Sequence, residues 1–64
     1  MLNESFRLNQ MYRLVEVKEK TENLENILKK EDIDFKDIIE FITIEGGIVS
    51  TLQNIANDIL EVSI

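Results

Sequence analysis

The sequence predicts an all-α protein, with a long N-terminal helix packed against two shorter helices in a hairpin-like, three-helix arrangement. Three observations lead there. Proline is absent from the 64 residues, and the only glycines are the adjacent pair Gly46-Gly47. Apolar residues recur at three- and four-residue spacing along most of the chain, which is the period of a helix face. The apolar residues also outnumber what three short helices can hide, so the arrangement is expected to be completed by dimerisation.

The first helix is expected over about residues 4–30. Asn3 or Ser5 can serve as its N-cap, and Glu4 suits the positive end of the dipole. No glycine, proline or turn cluster interrupts the stretch. Glu16–Lys20 and Glu25–Lys29 are spaced as favourable i,i+4 pairs, and Lys29-Lys30 falls at the negative end. Leu14, Val17, Thr21, Leu24 and Leu28 follow a coiled-coil-like spacing, which shifts upstream to Leu8, Met11 and Val15.

Glu31-Asp32-Ile33-Asp34 is the first break. Asp34 and Asp37 are spaced as a capping box with Asp in place of Glu, opening a second helix over about residues 34–45. Phe35, Ile38, Ile39 and Ile42 fall on one clean helical face, and Phe41, Ile44 and Ile48 form a second apolar line. Gly46 then reads as the residue that ends this helix, with a third helix over about residues 48–62. Ile48, Leu52, Ile55, Ile59 and Val62 form its seam, widened by Val49, Ala56 and Leu60. Together the second and third helices match the first, which at about 27 residues spans roughly 40 Å. The rival reading is α+β: a hairpin turning at Gly46-Gly47 between the β-branched runs 41–45 and 48–51. A two-stranded sheet is marginal by itself, and helical periodicity runs on both sides of the glycines, so the helix break is preferred.

Sixty-four residues make one domain, taken as residues 1–64. A chain this short buries only about 60% of its unfolded surface, so small domains lean on disulfides, metals or partners. Cysteine and histidine are both absent, which removes disulfides and an ordinary zinc site. No long apolar run and no basic-then-apolar leader pattern at Met1-Leu2-Asn3-Glu4-Ser5 point to a membrane or to export. With cysteine absent, a cytoplasmic location is the expectation. Regular helix packing and self-association remain as sources of stability.

The net charge of −6 is unevenly placed. Residues 1–30 carry five acids and six bases, whereas residues 31–64 carry eight acids and only Lys36. The second half should therefore repel phosphates and anionic membranes. This weighs against Gly46 being the turn of a DNA-reading helix-turn-helix, because residues 48–57 hold no Lys or Arg.

Enzymatic chemistry has little to work with. The commonest general base and the best soft nucleophile are missing, and Ser5, Ser50 and Ser63 lack a nucleophile-elbow context. The run Asp32-Ile33-Asp34-Phe35-Lys36-Asp37 starts like a calcium loop but has Asp37 where glycine is needed and Thr43 where the terminal Glu belongs. No catalytic, metal or cofactor site is expected.

The surplus apolar residues carry the functional expectation. Phe41, Ile44, Leu60 and Ile64, beside Phe6 and Tyr12, exceed the needs of the core. The expected partner or oligomer interface is Phe6, Tyr12, Phe41, Ile44, Ile48, Leu52, Ile55, Ile59 and Leu60. Glu40, Glu45, Asp58 and Glu61 are its acidic rim. The chain is accordingly read as a non-enzymatic interaction and oligomerisation module, a homodimer that serves as regulator or inhibitor of a basic protein. The alternatives are a helix-turn-helix regulator and a self-assembling scaffold subunit.

Overall fold

A computed structural model of the chain describes residues 3–63, which form two helices and no strand. α1 runs from Glu4 to Leu28 and α2 from Phe35 to Ser63. They lie antiparallel, joined by residues 29–34. The pairs Lys30–Asp37 near the turn and Arg13–Asp58 at the far end fix this orientation.

Both helix starts are capped at predicted residues. Asn3 is extended, and its Oδ1 accepts from the Phe6 amide at 2.8 Å. At the second start the box is reciprocal: the Asp37 amide donates to Asp34 Oδ1 at 2.9 Å, and the Asp34 amide donates to Asp37 Oδ2 at 3.2 Å. The Asp34 carbonyl takes the first intrahelical bond from Ile38. Two otherwise orphaned amide donors are thereby satisfied, so α2 starts where the acidic break ends. α1 stops two residues earlier than expected, and Lys30, beyond its end, donates to Asp37.

Gly46-Gly47 neither ends a helix nor turns a hairpin. Both glycines lie inside α2, and no described residue has a positive φ. The three-helix arrangement and its α+β alternative are thus replaced by a two-helix hairpin. Two interior glycines cost about 1 kcal/mol each relative to alanine. The continuous helix offsets this by carrying one seam against α1 past the glycines without a break. That seam is Asp37, Phe41, Ile44, Ile48, Thr51, Ile55 and Asp58, spaced alternately by four and three. Ending the helix at residue 46 would shift Ile48, Thr51 and Ile55 out of line with the residues before them.

The facing seam on α1 has the same spacing: Phe6, Gln10, Arg13, Val17, Lys20, Leu24 and Ile27. Val17 and Leu24 were expected there; Leu14 and Leu28 instead face solvent. Lys20 turns into the seam, where its Nζ lies 3.6 Å from the position a Cβ would take on Gly47. It closes no ion pair with Glu16, and Lys29 closes none with Glu25; the ion pairs among the described residues are the two that cross between helices or cap the turn.

The resulting body measures 49 × 16 × 10 Å over its Cα atoms, one helix thick. Its radius of gyration is 15.0 Å, against about 11 Å for a compact domain of this length. In so thin a layer only Ile27 and Ile55, at 5% and 7% exposure, are buried apolar residues among the described residues.

Candidate functional site

The hairpin hides few apolar residues because much of its seam is polar. Gln10 is buried and accepts from Arg13 at 3.1 Å, and Arg13 in turn reaches Asp58 Oδ2 at 2.6 Å. Lys30 Nζ donates to Asp37 Oδ1 at 2.6 Å. That hydrogen bond, and then the Asp34 amide, hold the Asp37 carboxyl below the ordinary carboxylate range. The bond and the charge of Asp37 raise Lys30 above the usual lysine value. Asp37 is almost buried, so it closes the turn end of the hairpin as well as capping α2.

The apolar residues excluded from this seam collect on the other side of α2. Phe35, Ile38, Ile42, Val49, Leu52 and Ile59 repeat at heptad-like spacing with Glu45, Ala56 and Ser63 in the remaining slots. At about 100° per residue this stripe centres on Val49, roughly 130° around α2 from the contact with α1. Phe35 is 75% exposed and Ile42 57%, and Ile39 and Leu60 extend the stripe. Near the turn it deepens into an open concavity of about 240 Å³. Ile38, Ile42, Phe41 and Leu28 line it, with Ile27, Ile33 and Asp37 at its base and edges. A smaller exposed group, Leu8, Met11, Tyr12 and Val15, marks the outer side of α1.

The structure divides the expected interface in two. Phe6, Phe41, Ile44, Ile48 and Ile55 lie on the seam between the helices, Ile55 buried and the other four half-buried. Leu52, Ile59 and Leu60 stand on the exposed stripe, and Tyr12, 68% exposed, stands apart on α1. Of the expected acidic rim, Glu40, Glu45 and Glu61 are exposed, whereas Asp58 is half-buried against Arg13. Ile64 lies outside the described residues. Phe35, Ile38, Ile39, Ile42 and Val49 belong to the exposed face although none was assigned to it. Phe35, Ile38, Ile39 and Ile42 share the clean helical face read from the sequence, but periodicity alone does not say whether such a face is buried or exposed.

Among the described residues no group of three or more potential ligand side chains is placed to hold a metal ion. No helix among them is long and apolar enough to cross a membrane. The turn required for a helix-turn-helix at Gly46 is absent, since residues 35–63 are one helix. Comparison with protein-family models, with curated proteins and with solved structures found no match to the chain.

Proposed function

We propose that the protein is a non-enzymatic interaction module whose first partner is a second copy of itself. The observation that carries this reading is the unpartnered apolar stripe of α2. The chain exposes 5325 Å², whereas a compact monomer of 7.5 kDa exposes roughly 4,250 Å². Two copies separately expose twice the first figure, and a compact particle of twice the mass exposes roughly 7,000 Å². Joining them can therefore remove on the order of 1,800 Å² per copy, which is the scale of obligate homodimers. An apolar stripe exposed at this length is otherwise an aggregation hazard.

The assembled particle would act as a regulator or inhibitor of a basic protein. Glu40 and Glu61 on the acidic half, both exposed and off the stripe, are free to steer such a partner. The absence of His and Cys supports a role without catalysis. Placing charges on the stripe tests the reading. In Ile42→Asp/Leu52→Asp, light scattering should report one chain mass where the unmodified protein reports two. The hairpin itself should stay helical, because both side chains face solvent within one copy. An unmodified protein that is already monomeric at millimolar concentration would remove the proposal.

A further inference from the structure

We infer that two copies dock α2 against α2 in antiparallel fashion, crossing at Val49, with their turns at opposite ends of the particle. This rests on the self-association proposed above and specifies its geometry. The first reason is where the apolar surface lies. The α2 stripe has apolar or small residues at every slot but Glu45. The flank of α1 that borders the same side interleaves Leu14 and Leu28 with Arg7, Lys18, Thr21 and Glu25. A dimer that matched α2 to α1 would bury those charges, whereas matching α2 to α2 buries apolar surface against apolar surface.

The second reason is that the stripe is complementary to itself when reversed. With Val49 facing its own copy, Ile42 faces Ala56 and Leu52 faces Gly46. A Cβ on Gly46 would meet nothing within 4 Å in its own chain, so the space is open to an incoming Leu52. At these two positions a large side chain meets a small one, as interdigitated packing requires. At the ends of the stripe, Ile59 and Leu60 of one copy come over Ile38 and Ile42 of the other, where the 240 Å³ concavity lies.

The third reason is charge. Glu45 faces Gln53 in this register, whereas in a parallel dimer it would face the second Glu45 across a desolvated contact. The pair of glycines thereby acquires a role: Gly46 lets the two α2 helices approach closely, which a bulkier residue would resist.

Because the chain has no cysteine, single-cysteine variants report the geometry directly. Under mild oxidation, Val49→Cys should form a covalent dimer as its main product. Ile42→Cys alone should not, because the two copies of residue 42 lie roughly 20 Å apart at 1.5 Å per residue. Mixing Ile42→Cys with Ala56→Cys should restore cross-linking to the level of Val49→Cys. Efficient cross-linking of Ile42→Cys alone would establish a parallel dimer and overturn the inference. So would a dimer in sedimentation equilibrium whose Val49→Cys form does not cross-link; that result leaves self-association standing. A monomer at every concentration removes both readings together.

Discussion

At the scale of single residues, Asp37 concentrates the most structural work. Its carboxylate accepts from the Asp34 amide in the reciprocal cap of α2, takes the Lys30 ammonium and closes the turn end of the hairpin. Its depressed pKa gives stability that is present above the ordinary carboxylate range and is lost as pH falls through the folded value. Lys30 has the opposite sign: its contribution persists through neutral pH and disappears as pH rises through its raised value. Thermal melts should therefore show stability falling below about pH 4, and less steeply in Asp37→Asn than in the unmodified chain. An identical acid limb in the two proteins would show that Asp37 does not carry this dependence. Asp34→Ala removes the cap acceptor and should cost about 1 kcal/mol in chemical denaturation at neutral pH. Asp58→Asn should cost less than about 1 kcal/mol, because the Arg13–Asp58 pair, though crossing between helices, is two-fifths exposed on both sides.

At the scale of helices, the decisive feature is that α2 passes through Gly46-Gly47 without stopping. A helical glycine gains stability on conversion to alanine when the added methyl has room. Gly47→Ala meets only the flexible end of Lys20 at 3.6 Å, so it should raise stability by roughly 0.5–1 kcal/mol. A loss of that size would instead mark a break in the helix at this point. Gly46→Ala has even more room within one chain, but Leu52 of a second copy would resist it, so Gly47 is the cleaner probe. Much of this level was legible in the sequence. The caps at Asn3 and Asp34, the acidic break before α2 and the helicity of both halves follow from local chemistry. The path through the glycines was not legible, because a helix interior and a helix end differ there by the seam each allows, and the seam was misassigned. The misassignment has a physical cause. Periodicity ranks faces by apolarity, and Phe35-Ile38-Ile39-Ile42 outranks a true seam that includes Gln10, Arg13, Lys20, Asp37 and Asp58. Those polar residues can sit between the helices because the layer is thin and their heads find partners or water.

At the scale of the whole molecule, the single hairpin is short of core. With Ile27 and Ile55 as its buried apolar residues, truncating either should be severe: Ile55→Ala is expected to cost about 2–5 kcal/mol, a large part of the stability of a small domain. The missing burial is available on α2, which is why self-association stands at the centre of the account. The surplus of apolar residues over core positions was legible in the composition. Which residues supply the surface was not, because five of the nine expected interface residues turn inward once the two helices meet.

The most direct measurement follows helicity of the unmodified protein on heating, at concentrations from micromolar to millimolar. If a second copy completes the core, melting and assembly are linked by mass action, and the midpoint must rise with concentration. That rise is expected, together with a mass twice 7.5 kDa in sedimentation at the upper end. A helical species of one chain mass whose melting midpoint is constant across that range would contradict it.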